Sequence, residues 1–148
     1  MKSMAKKCVI ALAGLALAIT AGAQVHRYYT NGSIWTVTEI RIKPGMDPGY
    51  LGYLDGALKK ESDALVKAGY MKSYKLLRTL DDDRTSWNLL ILREYKSLAA
   101  LEADEEKADS LSRDTLKEDD AKGMQGYEDR SKIREVLSTR TARELILK

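Results

Sequence analysis

One cysteine and one histidine occur among 148 residues, and no acidic residue precedes Glu39. The cysteine, Cys8, lies ahead of an apolar run from Val9 to Ile19. Lys2, Lys6 and Lys7 charge the segment before that run, and Ala21-Gly22-Ala23 follows it. A positive start, a short apolar stretch and a small-x-small end form a secretory signal peptide, because the peptidase accepts only small side chains in its pockets. The run falls short of the ~20 residues that a bilayer span requires. We therefore expect residues 1–23 to be cleaved and an exported protein, periplasmic or secreted, to begin near Gln24. No membrane association is expected after cleavage. A lipoprotein cysteine would follow the apolar run, so Cys8 provides no lipid anchor.

Without Cys8, residues 24–148 contain no thiol. Disulfide staples, thiolate catalysis and cysteine-ligated zinc or iron–sulfur sites are excluded. The lone imidazole, His26, cannot build a zinc site, and no Ser-His-Asp arrangement is discernible around it. Neither a metal nor a cofactor is expected. The charge balance changes with processing as well. The full chain carries 25 Lys+Arg against 22 Asp+Glu, and removal of Lys2, Lys6 and Lys7 leaves 22 against 22. A neutral domain gives no electrostatic argument for nucleic acid or an anionic membrane. Residues 24–148 have the length of one domain.

The pattern along that domain begins with β-prone runs at 25–30 and 33–43 on either side of Asn31-Gly32. Asn-Gly between such runs predicts a hairpin, since both residues tolerate positive φ. In the second run Ile34, Thr36, Thr38, Ile40 and Ile42 alternate with Trp35, Val37, Glu39, Arg41 and Lys43. Asp47 as N-cap, Pro48 at the first turn and Gly69 at the end delimit a helix. Leu51, Leu54, Leu58 and Leu65 form its apolar stripe. Strands follow at Met71–Leu80 and Trp87–Tyr95, joined by the polar turn Asp81–Ser86. The adjacent aspartates of that turn lack the spacing of a calcium loop. Ser97 caps a second helix running to about Asp120. Gly123 and Gly126 break it, a shorter helix spans about Tyr127 to Ser138, and Arg143–Leu147 is the last strand. The class is α+β: a ferredoxin-like β-α-β-β-α-β order with a four-stranded antiparallel sheet, an N-terminal hairpin arm and an extra helix. Helices then cover one face of the sheet only.

The phrases Ile34-Trp35-Thr36-Val37, Ile42-Lys43-Pro44-Gly45-Met46, Lys59-Lys60-Glu61, Lys67-Ala68-Gly69, Ser73-Tyr74-Lys75 and Trp87-Asn88 resemble the dimeric α/β-barrel superfamily. That group includes antibiotic-biosynthesis monooxygenases, NIPSNAP-like proteins and muconolactone isomerases. The likeness covers residues 33–101 and the last strand, in element order and strand ends rather than in a catalytic motif. It implies two sheets packed face to face and a small-molecule pocket between each sheet and its own helices. Haem-binding relatives use a histidine from the barrel itself, whereas His26 sits on the N-terminal arm. The residues give their own reason for a homodimer, with partial cover of the sheet face by the N-terminal arm of a monomer as the alternative. An apolar centre with aromatic and charged ends is expected from Trp35, Val37, Arg41, Trp87, Leu89, Ile91, Arg93 and Tyr95, more than a solvent-facing sheet needs.

Glu61 falls within the leucine stripe and is expected to face the sheet. A carboxylate there must be paired or protonated, because desolvation penalises its charge. It is a general base or polar anchor in the pocket, half of an ion pair with a strand Arg or Lys, or a side chain reaching solvent from the stripe's edge. Thr36, Thr38 and Asn88 offer hydrogen bonds on the same side, and Tyr53 and Tyr74 stand among the tyrosines at the helix ends. These residues would line a site for a small apolar or aromatic ligand. Three readings follow: an exported binding or accessory protein, a cofactor-independent monooxygenase- or isomerase-like enzyme, or a dimeric structural or stress protein.

Overall fold

The computed structural model describes residues 28–81 and 85–148, so the expected signal peptide, Cys8 and His26 lie outside the described residues. Strand β1 spans Tyr29–Ile42, followed by helix α1 (Asp47–Tyr53), a π-helical turn (Leu54–Leu58) and α2 (Lys59–Ala68) as one continuous rod. Strands β2 (Ser73–Arg78) and β3 (Leu89–Tyr95), helices α3 (Leu98–Leu116) and α4 (Asp120–Ile133), and strand β4 (Arg134–Leu147) complete the chain. The sheet order is β2-β3-β1-β4, with every neighbouring pair antiparallel. Two split β-α-β units interleave to give that order, with β1 and β3 central, which is the ferredoxin-like fold. The chain is therefore α+β, with a pair of helices where the simplest version of the fold has one.

Local chemistry sets most element ends. Gly69 adopts φ 82° and closes α2 as a left-handed cap, a conformation that costs an L-residue its Cβ clearance. Ser97 Oγ accepts from the Ala100 N–H at 3.0 Å and starts α3. Asp119 Oδ1 accepts from the Lys122 N–H at 2.8 Å and starts α4. At the first helix the cap position belongs to Met46, and Asp47 is the first helical residue. Its carboxylate pairs with Arg78 instead of capping.

Long-range pairing overrides local turn chemistry at both chain ends. Asn31-Gly32 makes no hairpin: β1 runs straight through it, and only a register shift against β4 marks the place. Residues 29–30 belong to β1, Tyr28 directly precedes it, and residues 25–27 of the expected arm lie outside the described residues. Gly32 instead leaves room for the Glu144 side chain, which would have to shift for a larger residue. A Cβ at that position would stand 2.6 Å from Glu144 Oε2 and 3.0 Å from Glu144 Cβ. The second departure is β4, which begins at Arg134 rather than Arg143. Pairing with β1 from Ile42 back to Tyr29, interrupted by two register shifts, gives backbone partners along most of it. Val136 and Leu137 are therefore strand residues, and α4 runs through Gly123 and Gly126 to Ile133.

Ile40, Ile42, Leu89 and Ile91 of the sheet pack against Tyr50, Leu54 and Leu58 of the helical rod, with Tyr53 and Ile133 at the edge. The π turn then displaces the buried face. An i→i+5 turn takes in one extra residue, so the position that a regular helix would give Glu61 goes to Ser62, which is 1% exposed. Glu61 is left half-buried at the margin.

Candidate functional site

A cavity of about 410 Å³ opens between the helical rod and the β2 edge of the sheet. Leu51 and Leu54 form its helical wall, and Leu76 and Leu89 its sheet wall. Tyr74, Leu76 and Arg78 all reach it because alternate residues of a strand share a face. The π turn and the residue after it contribute Asp55 and Lys59.

Most polar groups at the rim are already engaged. Tyr74 donates its hydroxyl to Asp63 Oδ1 at 2.8 Å. Lys59, one turn away on the rod, pairs with the other oxygen of Asp63. The Lys59 hydrogen bond, with help from Tyr74, holds the Asp63 carboxyl below its ordinary range. Partial burial, and then the bond to Asp63, pushes the Tyr74 phenol up. Arg78 is tied to Asp47 at the start of the rod. The result is an apolar recess with ion-paired ends, suited to holding an apolar body, with the Asp55 carboxylate outside those pairs.

The expected site residues separate. Tyr74 and Leu89 line the cavity. Glu61 does not, because the π turn carries it off the sheet-facing stripe; of its expected places it takes the edge of the stripe, and the pocket-carboxylate role is corrected. Tyr53 stacks on Tyr50 with ring centroids 5.7 Å apart and lies under the Arg130 guanidinium at 4.5 Å. Thr38 Oγ1 accepts from the Thr139 hydroxyl at 3.3 Å, towards β4 and away from the cavity. Thr36 lies opposite Arg93 on one side and Thr141 on the other. Asn88 serves the backbone: its side chain bonds both polar groups of Ile42. The composition of β2 (Tyr74, Leu76, Arg78) and the Lys59/Asp63 spacing were the available signals for the residues that do line the cavity.

The strand register also corrects the face assigned to β3. Leu89, Ile91, Arg93 and Tyr95 pair with Ile40, Thr38, Thr36 and Ile34, and directly opposed residues project to one side of a sheet. That side is the helix-covered one, where Leu89 and Ile91 are 2% and 5% exposed. They are core residues and not part of the uncovered face. Alternation cannot show which phase of a strand meets which phase of its neighbour; only pairing does. Trp87 lies just before β3 and is half-buried. The face that no described helix covers carries Trp35, Val37, Glu39 and Arg41 of β1, Leu90, Leu92 and Glu94 of β3, and Lys75 and Leu77 of β2. The Lys75 ammonium sits 5.6 Å from the Trp35 ring. Lys72–Glu94 and Arg41–Glu135 ion pairs flank the apolar centre.

Among the described residues, no group of three or more His, Cys, Asp and Glu could hold a metal ion. No helix among them is long and apolar enough to cross a membrane. No protein-family model matches the chain, and no curated protein matches it. Two crystal structures described as dimeric ferredoxin-like proteins from an uncultured marine organism are similar to it in backbone course. One is 13% identical with a TM-score of 0.47, over 79% of this chain and 90% of its own. The other is also 13% identical with a TM-score of 0.47, over 80% and 98%.

Proposed function

We propose that this is an exported, homodimeric small-molecule-binding protein of the dimeric α/β-barrel kind, with its ligand between the helical rod and β2. The cavity carries the reading. Its volume of about 410 Å³ is that of a small-ligand site, lined by leucines with a few polar groups to orient the guest. An apolar or aromatic molecule suits the leucine walls. Catalysis finds less support, because Tyr74 already donates to Asp63 and Glu61 is outside the cavity. The uncovered sheet face, with Trp35, Val37, Leu90 and Leu92 at its centre, supports pairing with a second copy. Export rests on the signal-peptide pattern of residues 1–23, and the intact mass of the exported protein tests it: a chain starting at or beside Gln24 is expected.

Ligand binding is tested with the neutral apolar fluorophore 1-aminoanthracene and the purified mature protein. Saturable fluorescence enhancement is expected, and Leu76→Trp, which fills the recess from its exposed wall, should weaken it at least about tenfold, near 1.4 kcal/mol. No enhancement, or equal enhancement in the variant, would leave the structural-protein reading in place.

A further inference from the structure

Two guanidinium groups in this fold are packed against tyrosines with no counter-charge among the described residues. Arg134 opens β4 opposite Ile42 and is 8% exposed. Its Cζ lies 5.6 Å from the Tyr50 ring centroid and 5.4 Å from that of Tyr127. Its Nε is sealed from solvent with no hydrogen-bond partner. Arg130, one turn back on α4, lies over the Tyr53 ring at 4.5 Å, and its Nε is sealed and unbonded in the same way. No ion pair joins either side chain to a described residue. The neighbouring carboxylates are engaged elsewhere: Glu135 with Arg41 at 2.7 Å and Asp129 with Lys132 at 2.7 Å.

An arginine cannot shed its proton to escape burial, so the charge persists. Tyrosine faces compensate part of the lost hydration through their quadrupoles, but they accept no N–H hydrogen bonds in the guanidinium plane. That plane is the part of arginine suited to carboxylate and phosphate oxygens. Arg134 also borders a surface groove of about 380 Å³ with Lys43, Tyr127, Ser131, Glu135 and Val136. Lys43 Nζ donates to the Ser131 and Lys132 carbonyls at 3.1 and 3.0 Å, which fixes the ammonium there and leaves one of its three N–H groups unused. Glu135 is the one acid in the groove, and Arg41 offsets its charge.

We propose that this groove is an oxyanion site: a small carboxylate or phosphate group binds the terminal N–H groups of Arg134, with the remaining N–H of Lys43 beside it. The site is separate from the leucine-lined cavity and does not depend on the function proposed for that cavity.

The test is an NMR titration of the mature protein with sodium phosphate and sodium acetate in turn, against sodium chloride at matched ionic strength. The reporters are the Arg134 Nε–H resonance and the Tyr127 and Ser131 backbone amides. Saturable shifts with a midpoint of about 1 mM are expected for at least one oxyanion, and chloride should produce none. Response to phosphate alone identifies a phosphoryl group, and response to acetate a carboxylate. Arg134→Gln should abolish saturation at the two amides. Lys43→Met, which leaves the buried arginine in place, should weaken it several-fold. Shifts that never saturate, shifts matched by chloride, or an unchanged response in both variants would overturn the proposal.

Discussion

Asn88 grips Ile42 by both of its backbone polar groups: the Ile42 N–H donates to Oδ1 at 2.8 Å, and Nδ2 donates to the Ile42 carbonyl at 3.0 Å. The Asn88 N–H also donates to the Ile40 carbonyl at 2.9 Å. The side-chain amide thus imitates a peptide unit and continues the β1–β3 ladder past the end of β3. Asn88→Ala should lower stability by about 2 kcal/mol, since two partly buried hydrogen bonds are lost and one backbone pair is left unmet. Asn88→Asp should cost more, because a carboxylate oxygen would then face the Ile42 carbonyl. Chemical denaturation measures both, and 1-aminoanthracene binding should be unchanged in each.

The displaced stripe of the helical rod gives an opposite sign at neighbouring positions. Ser62 is fully buried and its Oγ has no partner, so Ser62→Ala removes an unmet polar atom. That variant should be as stable as wild type or up to about 1 kcal/mol more stable. Glu61→Gln, at the margin, should stay within about 0.5 kcal/mol of wild type and leave binding intact. A large loss at Glu61 by thermal melt would mean that the carboxylate faces the sheet after all.

Glu94 makes the fold sensitive to acid. Lys72 donates to its Oε1 at 2.5 Å and Ser73 Oγ to its Oε2 at 2.6 Å. Those hydrogen bonds, that of Lys72 first, bring its carboxyl down from 4.5 to about 2. A depressed folded-state value stabilises the fold above the ordinary pKa, and the stability is lost as pH falls through the folded one. Loss is therefore expected between about pH 4.5 and pH 2. The side chain is near the surface, so solvent screening limits the effect to about 1–2 kcal/mol. Glu94→Gln should flatten this part of the stability–pH curve, read by denaturant midpoints across the range.

Adjacent residues of β3 should respond differently to the same substitution. Leu92 lies on the uncovered face opposite Val37, and Ile91 lies in the core opposite Thr38. Leu92→Glu should leave the protomer folded and shift the proposed dimer to monomer in light scattering at micromolar concentration. Ile91→Glu should unfold it, since an unpaired carboxylate would enter an apolar core at a cost of several kcal/mol. A wild-type monomer would refute the dimer.

The residues alone determined the succession of elements and several of their ends. Alternation in 33–43 gave a strand, the leucine spacing gave the rod, and Gly69 and Ser97 marked a stop and a start, because each depends on interactions within a few residues. The α+β class followed from that succession. What local chemistry could not decide was how the pieces met. Asn31-Gly32 has the residues of a turn, yet the backbone groups of β4 hold it extended. The phase of β3 relative to β1 is a property of the pair, so Leu89 and Ile91 went to the core and Leu90 and Leu92 to the open face. One extra residue in a π turn exchanged Glu61 for Ser62. Arg134 looks like one more basic residue in a charged chain. Only the packing of α4 and β4 brings it between Tyr50 and Tyr127, where no described residue pairs with its charge.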